Sequence, residues 1–103
     1  MEKIIKGRIY NTDKAVLITN CGIHNLELNL DELTELLYKT KNGEYFIYTY
    51  VCNIINGENK LGEDIKIVDI FQIMQWFEKR QKHFHEDEKK KFFKEFGKYF
   101  LEA

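Results

Sequence analysis

Apolar and polar positions alternate most clearly between Leu36 and Val51, where two runs of β-branched and aromatic residues flank Asn42-Gly43. A two-residue type I′ turn needs positive φ at both central positions, which Asn and Gly tolerate. The pattern therefore predicts a hairpin with Asn42-Gly43 at its tip. In the strand that follows, Glu44 to Ile55, Phe46, Tyr48 and Tyr50 fall on one face and Tyr45, Ile47, Thr49 and Val51 on the other. Both faces are apolar or aromatic, which predicts a central place in the sheet.

Upstream, Lys3 to Tyr10 reads as one strand with Ile5, Gly7 and Ile9 on a shared face. Asn11 to Lys14 are turn formers. Ala15 to Thr19 reads as a second short strand, closed by Asn20 to Gly22, so these two strands are expected to form a hairpin. The stretch from His24 to Lys41 supports two readings. Asp31 is placed to cap a short helix with Leu33, Leu36 and Leu37 at helical spacing. The register imposed by the turn at Asn42 instead requires extended chain, and it takes precedence from about Thr34 onward. Leu26 to Leu30 alternates as an edge strand or an anchored loop.

Asn56 to Asp64 has little apolar content besides Leu61 and reads as a mobile loop, with Ile65 to Val68 a brief strand after it. Asp69 with Gln72 is a capping-box pattern, opening a helix whose apolar face is Ile70, Ile73, Met74 and Phe77. Polarity then prevails from Glu78 to Lys91, broken by Phe84. A second helix starts near Glu86, with acids in its first turn and Lys89 to Lys91 after them, the order the helix dipole favours. Phe92, Phe93, Phe96, Tyr99 and Phe100 give it an aromatic stripe, and the pattern leaves open whether the two helices form one rod. The expected fold is α+β over residues 1–103 as a single domain: an antiparallel meander of four to five strands, mainly residues 1–68, covered by two C-terminal amphipathic helices.

Composition narrows the function classes. The chain has 103 residues, 44% hydrophobic and 32% charged, enough for one packed core. Sixteen Lys and Arg against seventeen Asp and Glu give a net charge of −1. That balance lacks the basic excess of a nucleic-acid binder and the acidity of a DNA mimic. MEKIIKGRIY has no apolar signal core, and no apolar run approaches the ~20 residues that span a bilayer. Cys21 and Cys52 read as buried or half-buried thiols of a cytoplasmic protein.

Four constellations carry candidate chemistry. Phe46, Tyr48 and Tyr50, with Lys6, Arg8, Lys39 and Lys41 on neighbouring strands, have the residue types that stack single-stranded nucleic acid. The two helices need a surface on which to bury their stripes, so core packing is the preferred reading of these rings. Cys21 and His24 form a C-x-x-H pair and His83-Phe84-His85 lies downstream. A helical His-x-His sets its rings about 200° apart, so no metal site is expected. No nucleophile elbow, phosphate-binding Gly-rich loop or zinc-protease motif occurs, so neither catalytic residues nor a cofactor is expected. The aromatic C-terminal stripe is wide enough to pack the sheet and still leave apolar surface over; burial of the whole stripe in the core is the preferred reading, and the alternative is a partner interface or a homodimer.

Three stretches, KGRIYNTDKAVLI, ELLYKTKNGEYFIY and IKIVDIFQIMQWFEK, resemble a group of small proteins of bacteriophages and mobile elements in AT-rich Gram-positive and related bacteria. The resemblance rests on Gly7, Tyr10, Thr12, Asp13 and Ala15, then Leu37, Tyr38, Thr40, Lys41, Gly43, Tyr45 and Phe46, then Trp76, and spans roughly residues 3 to 80. The abundance of Lys, Ile and Asn over Arg, present only as Arg8 and Arg80, fits such a source. The resemblance implies an accessory protein acting in the host cytoplasm. Proteins of this size and origin include anti-CRISPR inhibitors, which bind a CRISPR effector protein or its guide complex and block target access or assembly. On that reading the partner contacts fall on Glu58, Glu63 and Asp64, on Glu86, Asp87 and Glu88, and on Phe93 and Tyr99 of the C-terminal extension. The competing expectations are a phage regulatory or structural interaction module, and third, single-stranded nucleic-acid binding on the aromatic sheet face.

Overall fold

A computed structural model describes the backbone of residues 1–25, 30–55 and 58–103, and side chains outside 24–32 and 53–60. Its strands are β1 (Glu2–Ile5), β2 (Arg8–Asn11), β3 (Val16–Asn25), β4 (Leu30–Lys39), β5 (Tyr45–Ile55) and β6 (Glu58–Val68). Helices α1 (Ile70–Arg80) and α2 (Glu86–Phe96) follow, each ending in a short 3-10 turn. Strands β3 to β6 form a four-stranded antiparallel meander in chain order, and β1 and β2 form a separate two-stranded sheet. The α+β meander with two C-terminal helices is the fold the pattern predicts.

The turns differ from that pattern in an instructive way. Lys3 to Tyr10 is not one strand, because Ile5 pairs with Arg8 across a two-residue turn. Lys6 (φ 50°) and Gly7 (φ 77°) both have positive φ, the conformation of a type I′ turn. The N-terminal hairpin therefore lies inside this segment, and the partner expected for it, Ala15 to Thr19, joins the main sheet instead. At the second hairpin only Gly43 (φ 83°) is left-handed. Gly43 N–H donates to the Thr40 carbonyl at 3.0 Å and Thr40 N–H to the Glu44 carbonyl at 2.8 Å. This is a three-residue loop with a glycine bulge, not the two-residue turn expected at Asn42-Gly43.

Three strands run longer than their apolar pattern. Strand β3 continues through Asn20 to Gly22 to Asn25, and β4 begins at Leu30. The helix that Asp31 would cap does not form, since Leu33 to Lys39 are registered against both neighbours. Segment 58–64 is not a loop but the first half of β6, paired with residues 49–55 of β5. Leu26 to Asn29, and with them the reading of that stretch as an edge strand or loop, lie outside the described residues, as do Asn56 and Gly57.

Strand β5 lies inside the sheet, so alternate side chains feed two cores. Phe46, fully buried, meets Tyr10 edge-on at 5.8 Å and stacks on Tyr38 at 5.2 Å, with Ile65 beside them. The β1–β2 hairpin closes this core by laying Ile5 and Tyr10 on the sheet. On the opposite face Ile47 joins Leu37, Val68 and Cys21 beneath the helices. Each such fully buried side chain contributes roughly 1.5–3 kcal/mol by leaving water.

Asp69 caps α1 as expected: its carboxylate accepts the Gln72 N–H at 2.8 Å, and the Gln72 side chain accepts the Asp69 N–H at 3.0 Å. Ile73, Trp76 and Phe77 face the core. The two helices are separate. Phe84 adopts extended backbone (ψ 132°) and is buried against Trp76 at 5.2 Å and Phe77 at 5.0 Å, which turns the chain back. Helix α2 then lays Phe92 and Phe96 into the same core, Phe92 stacked on Phe77 at 4.0 Å.

Candidate functional site

The acids at the start of α2 divide by direction. The Glu86 side chain is 83% exposed and holds Lys89 at 3.4 Å, and Asp87 is exposed. Glu88 points inward. Its carboxylate accepts the Thr19 hydroxyl at 2.9 Å and the Asn20 N–H at 3.2 Å, and its second oxygen accepts Lys91 at 2.9 Å. Burial raises the Glu88 pKa, but the hydrogen bonds from Lys91, Thr19 and Asn20 outweigh it and hold the carboxyl below the usual range.

The acids of β6 lie on the other edge of the sheet, away from the edge strand β3 that α2 contacts. Glu63 accepts the Tyr48 hydroxyl at 2.6 Å, a bond that with burial pushes the Tyr48 pKa up to about 12. Asp64 pairs with Lys3 of the hairpin at 2.6 Å, which lowers its pKa. The Glu58 side chain lies outside the described residues. The two acidic groups are thus separate surfaces on opposite sheet edges.

Phe93 and Tyr99 remain 44% and 41% exposed, and Leu101 beyond them is almost fully exposed. Phe93 meets Phe100 at 5.5 Å and Phe77 at 5.3 Å, both edge-on, so this aromatic surface is continuous with the core. Lys98 sits over the Tyr99 ring at 5.2 Å. Phe93 lies in the last turn of α2 and Tyr99 in the 3-10 turn that follows, whereas Glu86 and Asp87 occupy the first turn of the helix.

On the sheet, Phe46 is sealed between Tyr10 and Tyr38, and Tyr48 and Tyr50 stay partly exposed beyond the hairpin. Of the basic residues grouped with them, Arg8 is paired to Glu44, while Lys39 turns to the helix side and binds Glu95 at 3.0 Å. Tyr45 donates to the same Glu95 oxygen at 2.8 Å, and this bond with that of Lys39 overcomes burial to lower the Glu95 pKa.

Cys21 of the C-x-x-H pair is buried and the His24 side chain lies outside the described residues. No group of three or more metal-binding side chains occurs among the described residues. Burial, reinforced by the Glu35 charge and opposed by Arg80, pushes the Cys21 thiol up to about 12. The Glu35–Arg80 pair itself was not among the expected features. Glu35 is registered opposite Cys21, nearly buried, and accepts Arg80 Nε at 2.8 Å from the end of α1. Its signal in the sequence is a carboxylate two positions from both Leu33 and Leu37, hence on the core face once β4 is extended.

Among the described residues no helix is long and apolar enough to cross a membrane. Comparison with protein-family models, curated proteins and solved structures finds no match to this chain.

Proposed function

We propose that this protein is a non-enzymatic accessory protein that acts by covering a partner's surface, and that the partner is a CRISPR effector protein or its guide complex in the host cytoplasm. The observation that carries the binding reading is the exposed aromatic end of α2, where Phe93 extends the buried aromatic core to the surface and Tyr99 is exposed beyond the helix end. Exposed aromatics backed by a rigid core suit an interface anchor, because little side-chain entropy is lost on docking. The choice of effector rests on the phage resemblance of residues 3 to 80. Glu86 and Asp87, exposed at the other end of the same helix, supply a charged rim.

The test is target cleavage by the effector of a matching host, with the protein added before or after guide loading. Inhibition in either order indicates blocked target binding, and inhibition only before loading indicates blocked assembly. Phe93→Ser with Tyr99→Ser should abolish inhibition while leaving the fold intact. Full inhibition by that variant would move the contact elsewhere. Absence of inhibition across several effector types would favour the regulatory or structural module, and concentration-dependent elution would identify it as a homodimer.

A further inference from the structure

Between α1 and the helix-side face of the sheet lies a cavity of about 310 Å³, at the small end of volumes that hold ligands. Its polar lining is rich in donors. Lys66 comes from β6, and Lys79 and Arg80 from the last turns of α1. Gln72 and Gln75 add amides on the helix side, while Ile47 and Val68 are apolar lining residues. Gln72 uses its oxygen on the Asp69 N–H, which leaves its NH₂ group available. Arg80 uses Nε on Glu35, so its two terminal nitrogens remain to donate. Glu35 is the single carboxylate of the lining and is already matched by that guanidinium. Among the described residues Lys66 and Lys79 have no ion-pair partner.

Trp76, 8% exposed, is part of the wall beside these groups. A wall with two unpaired ammonium groups, the free edge of a guanidinium and one neutralised carboxylate calls for an acceptor-rich anion. We infer that the cavity under α1 binds a small oxyanion, a phosphate or a compact carboxylate, held by Lys66, Lys79 and the free edge of Arg80 beside Trp76. This site is independent of the aromatic surface on α2 and of any partner bound there.

Trp76 is the single tryptophan of the chain, so its fluorescence reports the cavity directly. Inorganic phosphate and succinate are titrated separately into the intact protein, with chloride at matched ionic strength as the baseline. The expected result is a saturable change for phosphate, succinate or both, which also distinguishes the phosphate from the carboxylate ligand. In Lys66→Gln with Lys79→Gln, which removes two charge-assisted contacts, the affinity should fall at least about tenfold. Both lysines are exposed, and circular dichroism checks that the variant is folded. Lys82→Gln with Lys90→Gln, which removes the same charge elsewhere, should bind as the parent does. A response that tracks ionic strength for both anions, or equal affinity in both double variants, would overturn the site.

Discussion

Thr19 and Glu88 are joined twice: the Thr19 hydroxyl lies 2.9 Å from the Glu88 backbone carbonyl and 2.9 Å from its carboxylate. The same carboxylate takes the N–H of Asn20, whose row runs across the sheet through Leu36 and Tyr48 to Ile65. In an antiparallel sheet alternate residues of an edge strand turn their backbone groups outward. Asn20 and Ile65 are such residues, at the two ends of one row. At the far end Lys3 donates to the Ile65 carbonyl at 3.3 Å while holding Asp64. At both ends of this row the outward groups of an edge strand are therefore met by charged side chains, a means by which sheets avoid pairing with other chains.

Glu88 makes acid sensitivity predictable. A carboxyl with a lowered folded-state pKa adds stability above its unfolded value and loses it as pH falls through the folded value. Glu88, Glu95 and Asp64 are all lowered, from ordinary values of 4.5, 4.5 and 3.8. The denaturation midpoint should hold steady near neutrality and drop as pH falls below about 4.5. Glu88→Gln should cost about 1–2 kcal/mol at pH 7 and flatten the acid limb. A midpoint at pH 7 equal to that of the parent would show that the Thr19 contacts carry no stability.

The turn at Lys6-Gly7 predicts opposite effects at neighbouring positions. A left-handed conformation costs a non-glycine residue about 1–2 kcal/mol, less for Asn. Lys6→Asn should therefore stabilise the protein by roughly 0.5 kcal/mol, and Gly7→Ala should destabilise it by roughly 1–2 kcal/mol. Thermal melting of the two variants checks both signs. A Lys6→Asn variant that melts below the parent would refute the turn type.

How much of this was legible follows from what each element relies on. The capping box at Asp69, the interior place of β5 and the opposite faces of Phe46 and Ile47 rest on local chemistry and period, and they are visible in the sequence. The first half of strand β6 was not, because Gly62, Glu63 and Asp64 carry no apolar alternation, whereas its second half, Ile65 to Val68, was. An edge strand with much of its surface in solvent needs only the hydrogen-bonding partner that β5 supplies. The turn at Lys6 was hidden by an unbroken alternation of Ile5, Gly7 and Ile9. Of the candidate site, the exposure of Phe93 and Tyr99 matched the surplus in the stripe. Glu88 gave no sign of pointing inward, and the Glu35–Arg80 pair requires the closure of 45 residues of chain.

Phe92 and Phe93 are adjacent and should behave oppositely. Phe92 is fully buried, stacked on Phe77 and tilted against Phe96 at 4.9 Å, while Phe93 is 44% exposed. Phe92→Ala should cost about 3–5 kcal/mol, the usual result of emptying a packed aromatic site. Phe93→Ser should cost far less and act on partner binding instead. Equilibrium unfolding in urea separates them, and equal losses would remove the distinction between core and surface aromatics on α2.

Cys21 offers a chemical probe of the sheet–helix core. Its thiol is raised from 9.0 to about 12, so almost no thiolate exists in the folded protein near pH 8. A thiol reagent at that pH should modify half-buried Cys52 first and reach Cys21 only through unfolding. Because the folded value lies above the unfolded one, the associated stability is complete below about pH 9 and is lost as pH rises toward about 12. Peptide mapping of the labelled protein decides the order, and prompt labelling of Cys21 would show that the core opens locally.

The Lys3–Asp64 pair tests whether edge cover is a working feature of this fold. Both side chains are substantially exposed, so the pair is expected to matter little for stability. Its effect should appear in association. Lys3→Ser with Asp64→Ser uncovers the outward groups of Ile65, next to the exposed Leu61 and Gly62 of the same strand. Outward backbone groups of an edge strand that have lost their covering side chains are a template for pairing with another chain. The double variant should keep the parent's melting temperature yet form dimers or larger species as its concentration rises, seen by sedimentation. A double variant that sediments as the parent does at every concentration would mean that the twist of β6, and not the ion pair, protects this edge.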